Sequence, residues 1–308
     1  MISTPEFKVI TITPEIYERR ENEDLGSKYK FWFEYEKVDY LYKQARANLG
    51  EDWAEKVAAE LCKLLRLPHA DYELAETWEG RRGIASLKFL QEEGETLVNG
   101  NELLVAIVPD YVSSATYGAS QHTIDVVLKV IGNESINLPL GWTAPISIKT
   151  AVDVFVGYLL LDAWIGNGDR HHENWGVIRK RMGTAAPETI YLAPTYDHAS
   201  SLGRELSDEK RQKRSVEAYA NKCSSAFYRS VGETKPLKTF DVFTYVARTN
   251  PEATNIWLER LGNISTAKTL EIINRIPSSR ISPIAVDFAQ KILEYNQYRL
   301  LKLKEELF

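Results

Sequence analysis

An aspartate and an asparagine five residues apart, Asp169 and Asn174, lie within Gly166-Asn-Gly-Asp-Arg-His-His-Glu-Asn-Trp-Gly176, and a second aspartate, Asp197, lies within Tyr196-Asp-His-Ala199. The spacing lets both ends of one short loop face the same cleft, with Asp197 one hairpin downstream. One carboxylate can then orient a hydroxyl and accept its proton. The amide oxygen and the second carboxylate can hold magnesium on nucleotide phosphates, which is what phosphoryl transfer requires. Gly166 and Gly168 let the backbone bend sharply after an apolar helix and present Asp169 on a loop. Taken singly, Asp169 could cap a helix-ending turn with Arg170, and Asn174 could be a turn residue. The set of three is what points to chemistry.

Two further groups bear on that reading. His171, His172 and His198, with Glu173, raise zinc or iron as an alternative. Adjacent histidines on an extended stretch point to opposite sides, and neither a His-x-x-x-His nor a paired-cysteine spacing is present. His171 is expected to pack beneath the loop and bond its backbone. Lys43 ends an aromatic strand, and Glu55 falls in the helix after it; a kinase needs such a pair, the lysine on the phosphates and the glutamate on the lysine. Gly26-Ser-Lys-Tyr-Lys30 has a single glycine as a candidate phosphate loop. No Gly-x-x-x-x-Gly-Lys-Ser/Thr occurs, which disfavours a P-loop enzyme.

Elements must position these residues. Alternation over 7–13 reads as a strand, followed by a charged, irregular stretch to Leu25-Gly26-Ser27. Residues 28–34 and 38–43 form an aromatic hairpin turning at Glu36-Lys37. Residues 51–66 are an amphipathic helix with Trp53, Val57, Leu61, Leu64 and Leu65 on one face, and Pro68 stops it. Strands follow at 71–78 and 83–90, and Gln91-Glu-Glu-Gly-Glu95 is expected as a hinge. Beyond it come a helix at 119–131, a long apolar helix from Ile146 to Ile165 that carries Asp162, and strands at 175–179 and 189–193. Helices are expected near 206–222, 236–249, 253–261, 266–275 and 283–307. Strands with one helix, then a run of helices, define an α+β, two-lobed fold: a small strand-rich lobe over residues 1–91 and a helical lobe over 92–308.

Composition agrees. At 308 residues, 44% hydrophobic and 11% aromatic, the chain can fill two cores. No long uncharged apolar run suggests a membrane span, and the N-terminus lacks the pattern of a secretion signal. Two cysteines, Cys62 and Cys223, cannot form a disulfide framework, so a reducing cytoplasm is expected, with Cys62 in the core. A net charge of −5 argues against nucleic acid as a direct partner. The basic run Lys210-Arg-Gln-Lys-Arg214 reads as a solvated helix face.

Asn167-Gly-Asp-Arg-His-His-Glu-Asn174 and Tyr196-Asp-His-Ala-Ser200 resemble the catalytic loop and metal-binding segment of the HipA-like kinases, bacterial serine/threonine kinases with a two-lobed fold related to protein and phosphoinositide kinases. Lys30-Phe-Trp-Phe, Leu41-Tyr-Lys43, Gly50-Glu-Asp-Trp-Ala-Glu55 and Leu67-Pro-His-Ala70 are also similar. The resemblance implies ATP and Mg2+ as cofactors, with Lys43 on the phosphates and Glu55 as its partner. It implies Asp169 as catalytic base, Asn174 and Asp197 as magnesium ligands, and the Phe89-Leu90 backbone near adenine. It also implies a protein substrate with a serine or threonine acceptor, Ser27 beside Gly26 as an autophosphorylation site, and an antitoxin-like regulator. The family's extra N-terminal subdomain finds no room in residues 1–25. Asp-Arg-His-x-x-Asn also marks phosphoinositide kinases, so a lipid or small-molecule acceptor is the enzyme alternative. An inactive nucleotide-binding interaction module is the alternative from another class.

Overall fold

Alternating side chains divide the N-terminal strands between two cores. The computed structural model describes residues 4–23, 29–90, 92–115, 117–181, 183 and 187–308; Gly26 and Ser27 lie outside them. Strand β1 (Val9–Ile12) leads to helix α1 (Pro14–Glu18), β2 (Glu21–Asn22), β3 (Lys30–Tyr35), β4 (Val38–Gln44), helix α2 (Glu51–Leu65), β5 (Tyr72–Thr77) and β6 (Arg82–Leu87). They form a six-stranded sheet in the order β1-β5-β6-β4-β3-β2, with β1 and β5 parallel and the other pairs antiparallel. Ile10, Ile12, Phe31, Phe33, Tyr42, Ala75 and Ala85 fill one face, while Tyr72, Leu74 and Ile84 turn to the face that carries α2.

The expected strands and α2 are present, with most ends shifted by one to three residues. Glu36 and Lys37 form the two-residue turn of the β3–β4 hairpin, both left-handed (φ 53° and 64°), the backbone that a two-residue hairpin loop favours. The stretch read as irregular before residue 25 holds α1 and β2 instead. Thr13 caps α1 by accepting from the Ile16 amide, Pro14 occupies its first turn, and Ile16 and Tyr17 cover the aromatic face of the sheet.

Helix α2 departs from a simple amphipathic pattern, because Glu51, Asp52, Glu55 and Lys56 are buried as well. Each has a partner that only folding supplies. Lys56 Nζ lies 2.9 Å from Glu60, 3.0 Å from Glu73 and donates to the Tyr72 carbonyl at 2.7 Å, while Asp52 is held by Arg280 at 2.7 Å. Buried charges persist when paired in this way.

A second sheet begins after residue 94, in the order β7-β9-β10-β8: β7 (Glu95–Asn99), β8 (Ile136–Asn137), β9 (Gly176–Lys180) and β10 (Thr189–Leu192). Helices α3 (Gly100–Val105) and α4 (Ile124–Ile131) precede α5 (Ala151–Ile165). The latter two start later than expected because capping threonines mark their beginnings: Thr123 accepts from the Val126 amide, and Thr150 forms a capping box with Asp153. The helix expected at 206–222 is two, α6 (Asp208–Lys213) and α7 (Val216–Ala220), divided where Ser215 caps the second. Helices α8 (Thr239–Thr249), α9 (Pro251–Gly262), α10 (Thr266–Asn274) and α11 (Pro283–Leu307) complete the chain. No helix among the described residues is long and apolar enough to cross a membrane.

Helix α5 is apolar all round and is therefore surrounded: α8, α9 and α11 pack on it. Trp257 bonds the Asp153 carbonyl at 2.7 Å, and Trp164 bonds the Leu293 carbonyl at 3.2 Å. Gly157 of α5 lies close against Trp257 of α9; a Cβ there would sit 2.6 Å from Leu67 Cδ2 and 2.7 Å from the Trp257 ring. Gly157→Ala should therefore destabilise the chain by ~1–3 kcal/mol, through overpacking, despite alanine's better helix propensity. Urea denaturation checks this, and an unchanged or raised midpoint would contradict such close packing.

Candidate active site

The site begins where α5 ends. Gly166 terminates the helix in the left-handed region (φ 68°), turning the chain into the loop that carries Asp169 and Asn174. Asp162, in the last turn of α5, organises that loop. It accepts from Arg170 Nε, from Arg170 Nη2 at 2.7 Å and from Asn167 Nδ2 at 2.8 Å, all of them buried. Arg170 Nη1 reaches the Asn174 carbonyl at 3.0 Å. Arg170 thus pairs with Asp162 rather than with Asp169, which leaves the Asp169 carboxylate for other partners.

Its hydrogen-bond partners are hydroxyls, with His171 Nε2 farther off, 3.8 Å from Oδ1. Tyr117 Oη donates to Asp169 Oδ1 at 2.9 Å, and Ser200 Oγ donates to Oδ2 at 3.2 Å. Burial, reinforced by the Asp169 charge, pushes the Tyr117 phenol up to about 12, so it keeps its proton at neutral pH. Asn174 Nδ2 donates to the Asp169 carbonyl at 2.6 Å, so Oδ1 is the atom of its amide able to accept. His171 Nδ1 accepts from the Glu173 amide at 3.2 Å, the bond to the loop backbone anticipated for it.

Strand β10 delivers the second aspartate. Asp197 has a left-handed backbone (φ 58°), and its amide donates to Tyr72 Oη at 3.1 Å. Besides the Ser200 hydroxyl, two further bonds tie its segment to the Asp169 loop: Gly168 N to Ser200 O at 3.1 Å, and Tyr196 Oη to Glu173 O at 3.1 Å. Lys43, near the end of β4, places Nζ 3.4 Å from Asp197 Oδ2. Burial alone would lower the Lys43 pKa, but the Asp197 and Glu55 charges outweigh it and leave the amine raised, hence protonated. Lys30 faces Lys43 across the β3–β4 ladder; burial and then the Lys43 charge lower its pKa.

The structure changes one expected pairing. Glu55 was expected on Lys43, yet Lys43 forms its ion pair with Asp197, and Glu55 Oε1 accepts the His198 amide at 2.7 Å. Glu55 thus acts on Lys43 through space and fixes the residue after Asp197. Phe89 stacks on Tyr196 at 6.0 Å and both Phe89 and Leu90 pack on the main core, in the link between the two sheets. No group of three or more His, Cys, Asp or Glu able to hold a metal occurs among the described residues. The oxygen donors Asn174 and Asp197 suit magnesium shared with phosphates rather than zinc. Sequence reasoning missed Tyr117, which comes from a loop 52 residues away and had no motif to reveal it. Asp162 was visible in the sequence as an acid within the apolar helix, one turn before the loop.

Sheet, flanking helix α2, link and helical half together make a kinase-like fold. More narrowly, it is the fold of the HipA-like kinases. The Helicobacter pylori proinflammatory kinase CtkA superposes with a TM-score of 0.70 and 19% identity, over 97% of this chain and 98% of that one. HipA of Shewanella oneidensis, from its complex with HipB and operator DNA, gives 0.53 and 14%, over 95% of this chain and 67% of that one. No family model and no curated protein matches the sequence.

At the loop that carries Asp169 lies a buried histidine pair, His122 and His172. His122 donates from Nδ1 to the Ala226 carbonyl at 2.9 Å and accepts the Trp175 indole at Nε2, 3.1 Å, so the neutral ring satisfies both contacts. Burial depresses His122 to about 3 and His172 to about 4, from an ordinary 6.5. The unfolded chain takes up these protons near pH 6.5 and the folded chain does not, so stability is full above that pH and falls below it. The slope should approach ~2.7 kcal/mol per pH unit near pH 5 from the two sites, and His122→Gln should remove about half of it. Denaturant titrations between pH 7.5 and 5 measure this; an unaltered slope in the variant would exclude His122 as a source.

Proposed function

We propose that the chain is an ATP- and magnesium-dependent kinase that transfers the γ-phosphoryl group to a serine or threonine hydroxyl of a protein. The observation that carries this reading is the Lys43–Asp197 ion pair, 3.4 Å across 154 residues of sequence, beside a loop whose Asp169 already accepts a hydroxyl proton donor. Residues 1–91 would form the lobe that holds the nucleotide, with Lys43 on its phosphates, Gly26 and Ser27 as phosphate-loop residues and the Phe89-Leu90 backbone by the adenine. Residues 92–308 would form the lobe that presents the acceptor.

Asp169 orients the acceptor hydroxyl and takes its proton as the oxygen attacks the γ-phosphorus. Asn174 Oδ1 and the Asp197 carboxylate would hold magnesium, which when bound neutralises charge on the phosphates. Lys43, protonated, adds a fixed positive charge, and Glu55 steadies the Asp197 segment through His198. Tyr117 occupies the hydroxyl position on Asp169, so an incoming acceptor displaces it.

A protein acceptor is favoured over a phosphoinositide because the segment after Asp197 carries no cation before Arg204, and Arg204 is engaged with Glu51 at 3.1 Å. The kinase reading is favoured over an inactive nucleotide-binding module because Lys43, Asp169, Asn174 and Asp197 are all retained. Ser27 as a self-phosphorylation site and an antitoxin-like regulator belong to the same proposal, supported by the shared fold with HipA.

Incubation with labelled ATP, magnesium and cell extract tests it. Asp169→Asn should lower transfer by about 10²–10⁴-fold while leaving nucleotide binding in place. Equal labelling by wild type and variant would reject the mechanism. Asp197→Asn tolerates the left-handed backbone and should weaken magnesium-dependent ATP binding with the fold intact. Calorimetry showing unchanged affinity would remove Asp197 from the metal site.

A further inference from the structure

A cavity of about 670 Å³ opens beside the N-terminus of α2, and Lys43, Asp169, Asn174 and Asp197 take no part in lining it. Its lining holds six arginines, Arg46, Arg81, Arg82, Arg204, Arg211 and Arg280, against two acids, Asp52 and Asp208. Two long helices also point their N-termini at it. Gly50, the N-cap of α2, offers no side-chain cap, and Ser282 and Ala285 at the start of α11 are in the wall. The helix dipoles add positive potential there.

Carboxylates answer only part of this charge. Arg280 is committed to Asp52 and Glu76, Arg81 to Glu79 and Arg211 to Asp208, while Glu51 is shared by Arg46 at 3.3 Å and Arg204 at 3.1 Å. Arg82 has no ion pair among the described residues. Arg211, with a side chain only 8% exposed, keeps a buried Nε with no hydrogen-bond partner among the described residues. An orphaned guanidinium donor in a cavity walled by arginines calls for an anionic oxygen.

We propose that this cavity binds a phosphate monoester dianion, either a free phosphorylated small molecule or a phosphorylated side chain. Guanidinium forks match its planar pairs of oxygens, and the volume leaves room for the esterified group. The site reaches the catalytic carboxylate in two bonds: Arg204 Nη2 donates to Ser200 Oγ at 3.0 Å, and Ser200 Oγ donates to Asp169 Oδ2 at 3.2 Å. An anion that draws Arg204 from Glu51 therefore acts on Asp169 through Ser200.

Calorimetric titration of the full chain at constant ionic strength tests this, using inorganic phosphate, a phosphoserine peptide and the same peptide unphosphorylated. Arg46→Ala/Arg82→Ala removes two exposed side chains, and Glu51 keeps Arg204, so the fold should survive. The double variant should bind phosphate about tenfold more weakly or worse, because two guanidinium groups no longer donate to the anion, while exposed Arg248→Ala and Lys43→Ala bind as wild type does. Tighter binding of the phosphopeptide identifies a polypeptide source, and binding of phosphate without the peptide identifies a small molecule. Undetectable phosphate binding, equal binding by the double variant, or loss in Lys43→Ala alone, which would place the anion in the nucleotide cleft, overturns the proposal.

Discussion

The ion pair between Asp162 and Arg170 is the constraint on which the site rests. Both side chains are almost wholly buried, and each would be costly alone; breaking such a pair by deleting one partner typically costs about 3–5 kcal/mol. The pair works by engaging the donors on either side of Asp169. Arg170 spends its guanidinium on Asp162 and the Asn174 carbonyl, and Asn167 spends its amide on Asp162. The loop is thereby fixed at its start and its end, and the Asp169 carboxylate is left to face hydroxyls.

Helix α2 extends that order to the other half of the molecule. Its acids serve different neighbours: Glu55 holds the residue after Asp197, Asp52 binds Arg280, and Glu51 binds Arg46 and Arg204. A displacement of α2 would thus be felt at the Asp197 segment and at the arginine-walled cavity together. The Ser200 hydroxyl, lying between Arg204 and Asp169, joins the two regions by the shortest route.

The architecture was largely legible because its signals are local. Period-2 aromatics gave β3 and β4, the apolar run gave α5, and the order of elements gave a strand-rich half followed by a helical one. Two of the departures have local causes as well, and one does not. Five-residue α1 is too short for a periodic signal and depends on its Thr13 cap, and the break between α6 and α7 turns on Ser215. Lys43 and Glu55 were read as a pair from sequence order, but charge pairing follows distance in space, and the nearer partner of Lys43 is Asp197.

What the sequence determined by itself is the set of groups able to do chemistry and the elements carrying them: Asp169 and Asn174 at fixed separation, Asp197 one hairpin on, an apolar helix that had to be buried. Backbone periodicity and short-range spacing are properties of neighbouring residues, so they survive without the fold. Tertiary structure alone decided which long-range partners meet. It brought Tyr117 onto Asp169, Glu55 onto His198, and six arginines from four separate stretches of chain around one cavity. Hydrogen bonds and ion pairs form over a few ångströms, and only packing of the two sheets against the helices sets those distances.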